Sequence, residues 1–421
     1  MGVMKHMHLD WESNMNTVTQ SKPLSHSVGL TLLAGLPLFT LLPLGLDIFL
    51  PAVQQIGEYF NNADLPSMAI SVYMLFWGIG QLFWGGIADT LGKKNIAMIG
   101  MILFGLSSYL ISGVEDTQSL EFLAFRALQS FGGSAGFTAI FAIIRMRFEG
   151  ETLNRAYSYL NGILAFVPVS APLIGAYVVA NNAWFTLFAI MAVMGVISIG
   201  WIALTLPNDK AQTPIKRDEP ASQNLGKRYL SVLSNTRFRT YLFFALTAQS
   251  LFIYLLTVAP MYLMGRLGVS QVSFGQMFMI IALVFMVGSF LSPKINALMT
   301  IRSLIGLSLG LIVAGSAIMF VMSGIEMWYS LILPMVIIAT GCTILLSSSP
   351  ANALADFKEN AGTASGLYTA TTFGAGALIS ALFTKLIDST DLTQVALVYG
   401  LTALIALVAL ALNKTVQPDA K

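Results

Sequence analysis

Twelve long apolar runs, each separated from the next by a short polar break, limit what this chain can fold into more than any other feature. They lie at roughly 28–52, 66–88, 95–113, 119–144, 155–179, 184–206, 239–264, 272–292, 301–322, 327–348, 362–386 and 393–413. A helix rising about 1.5 Å per residue needs about 20 apolar residues to cross a hydrocarbon core. No water reaches that core, so each backbone N–H and C=O must be satisfied within the segment, which selects helices. The expected fold class is an all-α integral membrane protein with twelve transmembrane helices. Only 10% of the residues are charged, where a soluble domain carries about 25%. Pro168, Pro172 and Pro334 interrupt two of the runs, and a bundle tolerates them because neighbouring groups satisfy the freed carbonyls.

Charge sets the orientation. An even number of spans puts both termini on one side, and that side takes 19 of the 22 basic residues. The other side takes Arg266 and Lys385, and Arg126 falls inside a span. Cytoplasmic loops collect Lys and Arg, so both termini are expected in the cytoplasm. The first run follows a polar stretch and is expected to act as its own uncleaved insertion signal. The longest connection, 207–238, holds Pro207, Pro214 and Pro220. It divides the chain into a tail 1–27, a six-helix bundle 28–206, a cytoplasmic linker 207–238, a second six-helix bundle 239–413 and a tail 414–421. Two pseudo-symmetric halves of this kind place a transporter's substrate site near the bilayer midplane between them.

Several functions are argued against. The single Cys342 excludes a disulfide framework, and His6, His8 and His26 all lie in the N-terminal tail, so no metal site or cofactor is expected. No glycine-lysine phosphate loop occurs, which argues against ATP-driven transport by this chain alone. No enzyme site is visible. The linker is basic but reads as a tether, not a nucleic-acid module. The expected partners are a small-molecule substrate, protons and the lipid bilayer, and one chain, a monomer, supplies both halves of a cavity.

Asp47 is the most informative residue, because an ionisable group inside a membrane span is a functional hypothesis by default. Low dielectric disfavours a charged carboxylate, so Asp47 could load and release a proton. The plain alternative is that it marks the outer end of the first span. Arg126 stays charged in any protein environment and needs a partner or an aqueous cavity. It reads either as a fixed charge that tunes a carboxylate and holds substrate, or as a buried arginine capping carbonyls. Tyr73, Gln81, Gln129, Asn161, Gln249 and Tyr254 are further polar candidates to line a substrate cavity, although membrane Asn and Gln also bridge helices. Pro172 and Gly175 belong to a small-residue stretch that lets helices approach closely, with a counterpart in Gly362–Gly366 and Gly374–Gly376.

The run Gly85-Gly-Ile-Ala-Asp89-Thr-Leu-Gly92-Lys93-Lys94 is a charged, glycine-flanked turn between the second and third spans. Asp89 is placed to cap a helix end, which suggests a conformational latch.

Gly85-x-x-x-Asp89-x-x-Gly92-Lys93-Lys94 resembles the signature loop of the major facilitator superfamily, and that resemblance implies a cytoplasmic gate. Arg126-x-x-Gln129-Ser130 resembles the helix 4 motif of its proton-coupled members. Ala171-Pro172-Leu-Ile-Gly175-Ala176 resembles the helix 5 antiporter motif. Leu46-Asp47-Ile-Phe-Leu-Pro51-Ala52, Gly80-Gln81-Leu82 and Ala361-Gly362-Thr-Ala-Ser-Gly366 are similar to the Bcr/CflA branch of multidrug exporters. Together these imply the major facilitator fold and a proton-coupled antiporter of the bacterial inner membrane. Its cargo would be small amphipathic compounds such as antibiotics, moved by alternating access, with Asp47 and Arg126 in proton coupling. A different cargo, one dedicated metabolite such as a siderophore or a sugar derivative, stands as the alternative, and an anionic one would pair with Arg126. The region around Phe39, where some related exporters carry a second acid, is apolar, which implies against strongly dicationic cargo.

Overall fold

The computed structural model describes residues 27–148, 150–206, 225–357 and 361–413. The two expected tails and most of the linker lie outside the described residues. Among the described residues, twelve helices are long and apolar enough to cross a membrane: α1 (Val28–Tyr59), α2 (Leu65–Ile87), α3 (Lys93–Ser112), α4 (Ser119–Arg147), α5 (Arg155–Asn181), α6 (Phe185–Thr205), α7 (Thr236–Arg266), α8 (Gln271–Ser292), α9 (Ile301–Met322), α10 (Tyr329–Ala353), α11 (Ala364–Leu386) and α12 (Leu392–Leu412). The protein is therefore all-helical and multi-pass, and the observed spans match the expected ones to within a few residues at most ends.

The differences have local causes. The α1 span reaches Tyr59, because regular helix ends at Asp47 and a tight turn, Leu50–Ala52, leads into a short helix, Val53–Tyr59. Pro51 lies within that turn and cannot donate to a helical ladder. The expected loop between α2 and α3 shrinks to one residue: helix runs Leu65–Leu91, Gly92 turns at φ 82°, and helix restarts at Lys93. Only glycine takes that conformation without strain. Wide π-helical turns occupy Met261–Arg266 of α7 and Thr371–Ala375 of α11. Such turns release the regular ladder and cluster at functional positions.

Helices α1–α6 pack among themselves, α7–α12 do likewise, and equivalent pairs use equivalent contacts. In the first set, α3 approaches α4 at Gly100 and Gly132, and α6 at Gly105 and Gly195. In the second, α9 meets α10 at Gly341 and α12 at Gly400. A paired cap accompanies this repeat. The Lys94 Nζ, at the start of α3, donates to the carbonyls of Ala203 (3.0 Å) and Leu206 (2.6 Å) at the end of α6. Arg302, at the start of α9, donates to those of Leu410 (3.0 Å) and Asn413 (2.8 Å) at the end of α12. Both place a cation on the negative end of a helix dipole. The two sets meet along α5–α8 and α2–α11, where Gly275 faces Pro172 and Ala176, and Gly78 faces the backbone of Ala370 and Gly374.

A central cavity with one carboxyl

Between the two sets lies a cavity of about 570 Å³, walled by α1, α5, α7, α8 and α10. Most of its wall is apolar, with Phe252, Phe278, Phe285 and Phe290 among the lining side chains. The polar lining groups are Ser289, Ser292, Ser347 and Asp47, and among the described residues Asp47 is the only charged one. The wall follows α8 from Phe278 to Ser292, which at the helical rise is about 21 Å.

The backbone of α1 sets the position of Asp47. This residue closes the regular helix, just before the turn at Leu50–Ala52, and its side chain is only 4% exposed. Among the described residues no hydrogen bond or ion pair holds its carboxyl. At the end of the bundle opposite Val28 and Leu412 the two sets touch: Ser67 Oγ sits 3.4 Å from Met261 Sδ, and Gly275 of α8 faces Pro172 and Ala176 of α5. Within the first set, Gly175 of α5 packs directly on the Ile48 carbonyl beside Asp47. Asp47 thus sits near the end where the sets touch, in a cavity whose lining extends along α8 toward the termini.

Arg126 is fully buried on the other side of α1. It donates from one guanidinium nitrogen to the Gly45 carbonyl (3.1 Å) and to Gln129 Oε1 (2.7 Å). Its guanidinium carbon lies 4.2 Å from the ring centroid of Tyr73, 4.6 Å from Phe49 and 5.6 Å from Phe188. Gly45 and Phe49 bracket Asp47 at two residues on either side. Arg126 therefore fixes the stretch of α1 that carries the carboxyl, through backbone and ring, and it neither pairs with Asp47 nor lines the cavity. Of the two readings of Arg126, this geometry matches the buried arginine that caps carbonyls. Stacked aromatic faces and a carbonyl stabilise a planar guanidinium in an apolar interior, although Arg126 Nε and Nη2 have no hydrogen-bond partner among the described residues.

Two of the expected cavity residues belong to this same buried cluster. The Tyr73 hydroxyl donates to the Leu42 carbonyl (2.7 Å), and Gln129 Nε2 donates to Ser108 Oγ (2.7 Å). Gln249 is buried beside Gly376 at the α7–α11 contact, and Tyr254 packs on Phe383 and Tyr399. Gln81 meets the Thr138 hydroxyl at 3.1 Å. None of these five lines the cavity. The side chains of Asn161 and Asp89 lie outside the described residues. Of the expected gating set, Gly92 is the turn itself, Lys93 is buried, Lys94 caps α6, and Gly85 has open space around it. Pro172 and Gly175 lie where α5 is held between α1 and α8.

The lining of α8 is what sequence reasoning missed. Phe278, Ala282, Phe285, Ser289 and Ser292 follow steps of four and three residues, the spacing of a single helix face. Two serines in register with two phenylalanines along one face of an apolar span were the available signal.

The chain matches the family model described as Major Facilitator Superfamily over residues 36–381. It is similar to the multidrug resistance protein MdtL of Shewanella oneidensis, with 28% identity over 80% of this chain and 84% of that protein. The protein of the same description from Salmonella paratyphi A is 30% identical over 79% of this chain and 82% of its own length. Among solved structures, a D-xylose-proton symporter superposes with a TM-score of 0.72 at 14% identity, covering 90% of this chain and 96% of that one. A point mutant of the nucleoside transporter NupG superposes at 0.71 and 14% identity, covering 90% and 99%. These two likenesses are of fold alone. With a family model spanning most of the chain and twelve membrane-crossing helices beneath it, the protein belongs to the Major Facilitator Superfamily.

Proposed function

We propose that the protein is a proton-coupled antiporter that exports small amphipathic compounds, such as antibiotics, across a bacterial inner membrane, working as a single chain with both termini cytoplasmic. The observation that carries this reading is Asp47: one carboxyl in an apolar, phenylalanine-rich cavity between the two helix sets, near the end where they touch. The names of the similar MdtL proteins support the cargo class. An aromatic and aliphatic wall with three serines accepts varied apolar bodies and gives a few polar anchors.

The site works by exchange. With the termini side cytoplasmic, the cavity lining runs from Asp47 toward the cytoplasm, and the sets touch at the outer end. An amphipathic compound enters from that side and settles against the phenylalanines near Asp47. Re-orientation of the helix sets about the α2–α11 and α5–α8 contacts then opens the other end. A proton taken up by Asp47 from outside displaces the compound, and the protonated site returns inward and discharges. Each inward proton contributes about 2.3 kcal/mol per 100 mV, in addition to the pH gradient. Arg126 holds α1 so that the carboxyl stays aimed into the cavity throughout. Arg126 does not line the cavity, so an anionic metabolite would meet no cationic side chain among the described lining residues. Purified protein in liposomes tests the proposal. Asp47→Asn is expected to abolish gradient-driven accumulation, and persistence of uphill transport in that variant would overturn it.

A further inference from the structure

Away from the Asp47 cavity, on the α2–α11 side, two polar side chains one helical turn apart leave hydrogen-bonding capacity unused. Trp77 is 7% exposed, and its indole N–H has no partner among the described residues. Gln81, four residues along α2, meets the Thr138 hydroxyl with one end of its carboxamide and leaves the other end without a partner, while the Thr138 proton has the Ser134 carbonyl at 2.8 Å as its acceptor. An unmade hydrogen bond at a buried donor such as the Trp77 indole costs about 1–3 kcal/mol and calls for a reason. Their surroundings are aromatic. Phe373 of α11 lies flat on the Trp77 indole, with centroids 4.9 Å apart and 11° between planes. Phe137 meets the indole edge-on at 5.8 Å and packs in turn, tilted by 33°, against Phe141 at 4.9 Å. Phe373 belongs to the π-helical turn Thr371–Ala375, and its neighbour Gly374 faces Gly78 of α2. The ring that covers Trp77 is therefore carried by the opposite helix set, on an irregular turn, across the contact about which the two sets move.

We propose that Trp77 and Gln81 form a second substrate subsite, specific for planar aromatic compounds with a neutral hydrogen-bond acceptor at the ring edge, and that Phe373 occupies it as a stand-in in the present conformation. When α11 withdraws, a flat ring of the substrate replaces the Phe373 ring on the indole face. Its carbonyl or nitro oxygen then accepts from Trp77 Nε1, with the free end of the Gln81 carboxamide one turn away, about 6 Å along the axis. The subsite discriminates by an acceptor and not by charge, which separates it from Asp47. This inference rests on the reading of the chain as an alternating-access carrier but not on proton coupling.

The test uses the full chain in nanodiscs with two neutral planar probes, 9-fluorenone, which has a ring carbonyl, and fluorene, which lacks it. Binding to empty discs is subtracted. The wild type is expected to prefer fluorenone about 5- to 10-fold, the worth of one to one and a half hydrogen bonds. Trp77→Phe keeps the aromatic stack and is expected to bring that ratio to about 1, and Phe373→Leu is expected to tighten both probes while preserving the ratio. Asp47→Asn is expected to leave the ratio unchanged, so a failure of proton coupling would show separately in transport. An unchanged fluorenone preference in Trp77→Phe, or weaker binding of both probes in Phe373→Leu, would overturn the proposal.

Discussion

Adding one methyl group at Gly275 tests how closely the two helix sets are pressed together at the end of the bundle beyond Asp47. A Cβ there would stand 3.0 Å from the Ala176 Cβ, 3.1 Å from the Pro172 carbonyl oxygen and 3.2 Å from the Leu173 Cα, all on α5 of the opposite set. Two of the three obstacles are backbone atoms, which cannot rotate aside as a long side chain can. Either α8 or α5 must retreat. Overpacking of this kind costs about 1–3 kcal/mol. The strain acts only where α5 and α8 are pressed together, so it is charged to the arrangement in which the sets touch here and is largely absent once they part. A differential of that size shifts a two-state equilibrium about 5- to 150-fold. The readout is a cross-link between Ser67→Cys and Met261→Cys, whose parent atoms lie 3.4 Å apart across the same end, in a Cys342→Ser background. Gly275→Ala is predicted to cut the cross-linking yield at least 5-fold while the protein remains folded and monodisperse. A yield equal to that of the parent with Gly275, with unaltered transport, would refute the reasoning that this contact limits the closed state.

Three further outcomes follow from the geometry. Arg126→Lys keeps the charge but not the planar fork that bonds Gly45 and Gln129 while lying on two rings, so thermal unfolding in detergent should show a loss of about 1–3 kcal/mol, together with slower transport. Lys94→Ala and Arg302→Ala each strip the cap from one helix end, and they are predicted to destabilise by similar amounts, about 1 kcal/mol, because they are equivalent devices in the two sets. Partial desolvation pushes the Asp391 carboxyl up, but hydrogen bonds from Thr393 and Gln394 outweigh it and hold the group below the usual carboxylate range. Its stabilising contribution at the start of α12 is therefore present above about pH 4, the ordinary carboxylate value, and is lost as the pH falls further, so Asp391→Asn should flatten that acid limb of an unfolding-temperature profile.

The twelve spans were readable because hydrophobic length is a local property of the chain, and the lipid imposes it segment by segment. The intramembrane position of Asp47 was readable for the same reason: a carboxyl in an apolar run stands out. The rotation of each helix about its axis was not. A span such as α4 is apolar on the side facing lipid and on the side facing its neighbours, so little in the pattern says where Arg126 points. Its actual partners, the Gly45 carbonyl and the rings of Tyr73 and Phe49, come from two other helices. The same holds for Trp77 and Phe373, which lie nearly 300 residues apart in sequence and meet only because Gly78 and Gly374 allow α2 and α11 to touch. The paired caps at Lys94 and Arg302 were hidden for a different cause. Charge counting placed both correctly on the side of the termini, but it could not say that each would close the end of a helix more than 100 residues further along the chain.

Proton-driven accumulation measured side by side with gradient-free exchange bears most directly on the central claim. In liposomes holding Asp47→Asn, uphill transport under an imposed pH gradient should vanish, while exchange of labelled for unlabelled substrate continues within a few-fold of wild type. Uphill transport at the wild-type level from a protein with no carboxyl at that position would contradict the account.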